Sequence, residues 1–232
     1  MIPTKQECLQ IFNKYILLSN VKQHCLAVTS VATYIAQKVK EQKSPNLNLN
    51  IVFATSLFHD LGKAGTITKL EPEKYGFKPL NEEELNVWKE LRALAQSLNK
   101  EKVHETEITK LILEPLFPDF IPYLNQIGGT RNDIYYSAGM EIKIMHYADW
   151  ILHKHNLIAF EKRLNYLFKT YGEDFSEEEW KIRKEKEFLL EKNIFDGLNV
   201  TPEFDLSELN KLKEELFGEL ADFEIGKVED IN

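Results

Sequence analysis

The chain has 232 residues, with 29 basic and 37 acidic side chains and a formal net charge of −8. Its length suits one large or two small domains, and its 43% hydrophobic content is typical of a globular protein. The negative charge argues against broad binding to nucleic acids or anionic membranes. A small phosphorylated substrate is compatible with this net charge, because a bound metal ion can locally outweigh the negative field of the whole protein.

The first residues, MIPTKQECL, lack the charged start and apolar run of a signal peptide. No apolar run approaches the roughly 20 residues that are needed to span a membrane. Cys8 and Cys25 lie in helical patterns without a CxxC pair, so we interpret both as small apolar core residues. These features together predict a cytoplasmic protein.

Helical periodicity and capping residues predict an all-α chain, because no strand-like alternation is convincing. Thr4 and Glu7 form a capping-box pattern at the start of the first helix. Gly62 and Gly65 are predicted to end the third helix, since glycine suits the left-handed position after a helix. The predicted helices after the first one lie at about 21–40, 50–61, 81–99, 102–114, 121–127 and 138–160.

Two segments without periodicity are predicted to be loops. Residues 66–80 contain two prolines and a glycine, and we interpret this segment as a candidate substrate-binding loop. GGTRND at 128–133 is the second loop. Further along, residues 173–192 are densely charged with a thin apolar stripe, and 206–221 form an amphipathic helix.

The pair His59-Asp60 ends the apolar run IVFATSLFHD. Buried polar groups need partners and buried charges need pairing, and a divalent cation would satisfy both. The alternative is a histidine that favours the helix dipole beside a capping aspartate. It explains Asp60 poorly, because a carboxylate is unfavourable at a helix C-terminus.

Two further polar residues lie on apolar helix faces. His24 shares a stripe with Val28 and Val31, and Asp149 follows Met145 at helical spacing. Two imidazoles and two carboxylates are a plausible ligand set for a first-row divalent metal, in the core of a helical bundle. The alternatives are that His24 is a satisfied core histidine and that Asp149 forms a buried salt bridge to Lys63 or Arg131.

In order, His24, His59-Asp60 and Asp149 resemble the H…HD…D signature of the HD-domain superfamily of metal-dependent phosphohydrolases. HDLGK at 59–63 is similar to the HD-x-GK variant, and the resemblance covers roughly residues 5–160. It implies an HD-domain-like helical bundle over 1–165 with a metal site in its core. Residues 166–232 are predicted to form a charged helical extension that packs on the bundle or mediates homo-oligomerisation.

The resemblance implies a phosphohydrolase that cleaves a phosphomonoester or phosphodiester by metal-activated water. The substrate would be a small phosphorylated compound, by resemblance a nucleotide or a nucleotide-like molecule. His24, His59, Asp60 and Asp149 would bind one divalent transition metal ion, chosen among Mn, Fe, Co, Ni and Zn.

Further site residues are predicted with their alternatives. Asp60 would orient or deprotonate the water, and Lys63 would face the phosphate unless it is only a cation near a helix C-terminus. The deoxynucleotidase-like branch has an acidic residue where this chain has Lys63, which argues against that activity. His104 would contact phosphate or act as a general acid, or is an exposed helical histidine. Arg131 would bind phosphate, or is a surface arginine.

Rival interpretations come from other residues and other classes of protein. His146, Asp149 and His153 share one predicted helix face and form a competing metal set, which would leave His24 unexplained. A non-catalytic HD bundle that binds a ligand or a protein is the alternative from another functional class. An iron-dependent oxygenase would need more histidines in order than the chain offers.

Overall fold

The structure is a computed structural model that describes residues 1–75, 77–127, 134–172, 175–199 and 204–231. Two short strands, β1 (Leu152–His153) and β2 (Asn156–Leu157), form an antiparallel hairpin. The helices, in chain order, are α1 (Lys5–Tyr15), α2 (Ser19–Gln42), α3 (Leu49–Phe58), α4 (Lys63–Thr66), α5 (Pro72–Tyr75), α6 (Glu82–Ser97), α7 (Glu105–Leu113), α8 (Ile121–Leu124), α9 (Ile134–Ser137), α10 (Met140–Trp150), α11 (Phe160–Tyr171), α12 (Glu177–Phe195) and α13 (Leu206–Phe217).

The prediction of an all-α fold is confirmed, with the hairpin as a small exception. The capping box of Thr4 and Glu7 starts α1 as expected. Asn81 forms a second capping box with Glu84 at the start of α6. Among the residues that the structure describes, no helix is both long enough and apolar enough to cross a membrane.

The centre of the molecule is α3, which packs against α2, α1 and α10. Every residue from Ile51 to Phe58 is buried, as expected for a helix that is apolar on all sides. Asn48 caps the helix by accepting hydrogen bonds from the backbone N–H groups of Asn50 and Ile51. Because α2, α3 and α10 contact one another, polar residues on their inner faces come close together.

The glycines after α3 serve close packing. Gly62 has a φ of −78°, so the predicted left-handed cap is wrong. A Cβ at Gly62 would lie 2.3 Å from the backbone oxygen of Glu105. The backbone N–H of Gly62 donates to Thr109 Oγ1 at 3.1 Å. Glycine is therefore needed here for the close approach of α7 to the turn that carries His59 and Asp60.

The predicted helix over 138–160 is wrong at its C-terminal end, since α10 stops at Trp150 and the hairpin follows. Lys154, in the turn, has a φ of +59°, a conformation that a helix does not contain. Leu157 also hydrogen-bonds with the backbone of Gly226 and Val228. This pairing with the distant C-terminal segment stabilises an extended conformation that local periodicity cannot predict.

The C-terminal part of the chain packs against the central helices. Its helix α12 contacts α10, and α13 contacts α2. The predicted domain division between residues 165 and 166 falls within α11 and stays a prediction, as does association through these helices.

A buried ionic cluster joins α10 to α12. The imidazole Nε2 of His146 lies 3.1 Å from both carboxylate oxygens of Glu187, which is fully buried. Glu187 also accepts a hydrogen bond from Tyr136 at 2.6 Å, and Arg183 NH2 lies 3.6 Å from it. Although burial opposes its ionisation, the charges and hydrogen bonds of these neighbours lower the pKa of Glu187.

We expect Glu187→Leu to lower the free energy of unfolding by about 3–5 kcal/mol, because it leaves the buried Arg183 without its carboxylate. Glu185→Leu, two positions away on the exposed side of α12, is the matched control and should change stability by about 0.5 kcal/mol at most. Urea denaturation of both variants measures the difference. Equal free energies of unfolding for Glu187→Leu and Glu185→Leu would show that the cluster does not hold α10 and α12 together.

Candidate metal centre

Three chain segments bring four candidate ligands together. His24 comes from α2, His59 and Asp60 lie in the turn that follows α3, and Asp149 comes from α10. Ligand atoms of His24, His59 and Asp60 lie within 4.8 Å of one another. The Asp149 Oδ1 atom lies 2.9 Å from His24 Nε2 and 3.7 Å from His59 Nε2.

Backbone carbonyls orient both imidazoles. The Nδ1 of His59 donates to the carbonyl oxygen of Ser56 at 2.7 Å. The Nδ1 of His24 donates to the carbonyl oxygen of Lys154, also at 2.7 Å. A carbonyl accepts only, so each Nδ1 carries the proton and each Nε2 is available as a ligand. Such hydrogen bonds from the other ring nitrogen are typical of metal-binding histidines.

His24 faces an acceptor at each ring nitrogen, the Lys154 carbonyl on one side and the Asp149 carboxylate on the other. A neutral imidazole has only one N–H group, so this arrangement needs either a second proton or a cation at Nε2. Burial alone would lower the pKa of His24, but the hydrogen bond and charge of Asp149 outweigh it and raise that pKa.

His59 provides the clearest sign of a missing partner. Its side chain is 7% exposed, and its Nε2 is buried without a hydrogen-bond partner. The 3.7 Å separation from Asp149 is too long for a hydrogen bond. A buried ring nitrogen without a partner is costly, and a cation bound at this atom removes that cost.

The spacing and charge of the donors fit a metal ion. Two ligand atoms that are each about 2.1 Å from one ion lie about 3–3.5 Å apart, close to the separations of Asp149 from both Nε2 atoms. Burial opposes the ionisation of both carboxyls, yet neighbouring cationic groups lower the pKa of Asp60 and of Asp149. The site therefore offers two ionised carboxylates and two imidazole nitrogens, a donor set that suits several divalent metals.

Beside these ligands lies a second group of charged side chains. Lys63 Nζ lies 3.3 Å from Glu105 Oε1, and His104 Nε2 lies 3.5 Å from the same oxygen. Lys63 and His104 are each 40% exposed, whereas Glu105 is 16% exposed. The backbone N–H of Lys63 donates to the carbonyl oxygen of Asp60 at 3.0 Å, and the charge of Lys63 contributes to the lowered pKa of Asp60.

His104 has a structural role that the sequence did not reveal. The predicted helix over 102–114 begins later, at Glu105, and His104 is its N-cap. The His104 Nδ1 accepts a hydrogen bond from the N–H of Thr106 at 3.3 Å. This bond fixes the ring, so that Nε2 faces Glu105.

The remaining predicted residues do not join the four ligands. Arg131 lies outside the described residues, so its phosphate-binding role stays a prediction. His146 is bound to Glu187, and His153 lies in β1 and not in a helix. The competing metal set of His146, Asp149 and His153 is therefore wrong, because it required all three on one helix face.

Two contributors to the site were missed by sequence reasoning. The carbonyl of Lys154 reaches His24 because the hairpin turns there, and no local pattern predicted the hairpin. Glu105 received no role, since an acidic residue in the first turn of a helix is common for reasons of the dipole alone. Its proximity to Lys63 and His104 becomes visible only in three dimensions.

We expect metal binding to strengthen as the pH rises. A cation that binds Nε2 of His24 must displace a proton, because the metal-free imidazole is stabilised in its charged form by Asp149. Below the raised pKa of His24, affinity for Mn²⁺ should increase up to about ten-fold for each pH unit, and above it the affinity should level off.

Calorimetric titration with Mn²⁺ in buffers of different ionisation enthalpy measures both the affinity and the protons released. Release of close to one proton at low pH is the expected result. Constant affinity with no proton release would contradict the assignment of His24 as a ligand.

Comparison with known proteins gives one family match. The HD domain family model matches residues 21–159, a range that includes His24, the His59-Asp60 pair and Asp149. No curated protein and no solved structure gives a significant match to the chain. Because the matched range covers more than half of the 232 residues, the chain belongs to the HD domain family.

Proposed function

We propose that this protein is a metal-dependent phosphohydrolase that cleaves a phosphomonoester or phosphodiester bond of a small, nucleotide-like compound. The observation that carries the proposal is the buried Nε2 of His59, which lacks a hydrogen-bond partner and faces the carboxylate of Asp149. Membership of the HD domain family, which is commonly associated with metal-dependent hydrolases, supports the reaction class.

One divalent transition metal ion would be held by His24, His59, Asp60 and Asp149. Mn, Fe, Co, Ni and Zn all suit these ligands, and availability rather than ligand type would select among them. When bound, such an ion supplies Lewis acidity and lowers the pKa of water towards neutrality.

Asp60 has the two properties that a water-orienting carboxylate needs. Its lowered pKa keeps it ionised at neutral pH, so it can accept a hydrogen bond from water. Its ligand oxygen lies within 4.8 Å of the ligand atoms of His24 and His59, so the carboxylate is placed beside the candidate metal. Asp60 would therefore orient a water molecule at the ligand cluster.

Lys63 would stabilise the negative charge that develops on the phosphoryl oxygens. Its side chain is 40% exposed, so a substrate can approach it. The ion pair with Glu105 at 3.3 Å restrains the position of the ammonium group. Charged groups that are oriented before the reaction stabilise a transition state without reorganisation at the moment of reaction.

His104 would contact the substrate through Nε2, either as a donor to phosphate or as the acid that protonates the leaving group. Its capping bond to Thr106 fixes the ring, and Glu105 favours a proton on Nε2. Arg131 would add a further phosphate contact. Broad nucleic-acid binding is not expected, because the chain has a net charge of −8.

A panel of nucleoside mono-, di- and triphosphates, cyclic nucleotides and simple phosphoesters, assayed with each candidate metal, tests the proposal. We expect Asp60→Ala to lower kcat by about 10²–10⁴-fold, because the water loses the carboxylate that orients it and the metal ion loses a ligand. Lys63→Ala should lower kcat/KM by about 10²-fold or more.

Lys211→Ala is the matched control, since Lys211 is 78% exposed on α13. It should leave both kinetic constants unchanged. If the metal-loaded protein hydrolyses none of these phosphoesters, the proposal is wrong. The alternative of a non-catalytic HD bundle that binds a ligand or a protein then takes its place.

A further inference from the structure

A cavity of about 640 Å³ lies where α10, β2 and the start of α11 meet α12 and α13. Its volume falls within the range of about 300–1,000 Å³ that is usual for small-molecule sites. Such sites often form where two parts of a chain pack together, as the bundle and the C-terminal helices do here.

This cavity is separate from the candidate metal centre. Tyr147 and Ile151 line it, and each lies two positions from Asp149 in the sequence. Two residues correspond to about 200° of rotation around a helix, so both side chains point away from the Asp149 side. A molecule in the cavity would therefore bind behind α10, where it does not meet the ligands.

Aromatic rings form much of the cavity wall. Tyr147, Phe160, Phe188 and Phe204 all line it. The rings of Tyr147 and Phe160 meet edge to face with centroids 5.1 Å apart, and those of Phe160 and Phe188 do so at 5.7 Å. The side chain of Phe188 is 37% exposed, so its ring is accessible from solvent. Aromatic faces carry negative electrostatic potential and attract cations.

A carboxylate lies within this aromatic wall. Glu191 is half-buried and accepts a hydrogen bond from the hydroxyl of Tyr147 at 2.7 Å. A carboxylate can accept about four hydrogen bonds, so one hydroxyl leaves most of its capacity unused. Burial raises the pKa of Glu191, which is the cost that a bound cation would offset.

The other charged residues of the lining lie towards solvent. Glu161 is 66% exposed and already paired with Lys184 Nζ at 2.9 Å. Lys227 is exposed on the C-terminal segment. Glu191 is therefore the charged group most enclosed by the aromatic rings, and the cavity favours a ligand of positive charge.

We propose that this cavity binds a small organic cation, an ammonium ion that carries an aromatic or branched apolar body. The apolar body would contact Phe160, Phe188 and Phe204, while the ammonium group would lie against Glu191. This site is independent of the metal centre and of the proposed phosphoester hydrolysis, because it uses different residues on another face of α10.

Benzyltrimethylammonium is a suitable probe, since its charge does not change with pH. Its neutral carbon isostere, neopentylbenzene, and the anion 3-phenylpropionate separate the effect of charge from that of shape. Binding to the full chain is measured by NMR, through shifts of the probe and of the aromatic signals. We expect the cation to bind with a Kd of about 1 mM or tighter, and more strongly than either comparison compound.

Glu191→Gln preserves the shape and the acceptor for Tyr147 but removes the charge, and it should weaken binding of the cation about ten-fold. Glu185→Gln, exposed on the same helix, is the matched control and should leave the affinity unchanged. Phe188→Ala should also weaken binding, whereas Leu189→Ala on the neighbouring exposed position should not. Preference for the anion or the neutral isostere, or unchanged affinity in Glu191→Gln, would overturn the proposal.

Discussion

The structure depends on polar side chains that meet inside an apolar core. Each of the helices α2, α3 and α10 must bury its apolar face, and packing these faces together also buries His24, His59 and the carboxylates beside them. Without a cation, His24 needs a second proton and His59 leaves a ring nitrogen without a partner. A divalent ion would satisfy both imidazoles and both ionised carboxylates at once.

The helix α10 contributes residues to the candidate metal centre, to the buried ionic cluster and to the aromatic cavity. Asp149 faces the candidate ligands, and His146, three residues earlier in the helix, contacts the buried Glu187 of α12. Tyr147 and Ile151 line the aromatic cavity behind it. The helices α11 and α12 pack directly on α10, although they supply none of the four candidate ligands. The C-terminal part of the chain therefore covers the side of α10 that forms the cavity wall.

The sequence allowed the all-α fold and the four candidate ligands to be predicted, because apolar periodicity and polar exceptions to it are local signals. His59 and Asp60 were visible as anomalies at the end of a buried run. The hairpin was not predictable, since pairing with the distant Gly226 segment decides it. The packing role of Gly62 was misread for the same reason: the carbonyl of Glu105 that excludes a side chain comes from another helix. Long-range partners, which periodicity cannot show, account for these failures.

The central claim is that His24, His59, Asp60 and Asp149 bind one divalent ion. Crystals grown with Mn²⁺ and measured at the manganese absorption edge test it most directly, because anomalous scattering locates the ion without reference to activity. We expect one strong peak about 2.0–2.3 Å from the Nε2 atoms of both histidines and from oxygens of both aspartates. A structure in which His24 remains hydrogen-bonded to Asp149, with no peak between these residues at saturating Mn²⁺, would contradict it.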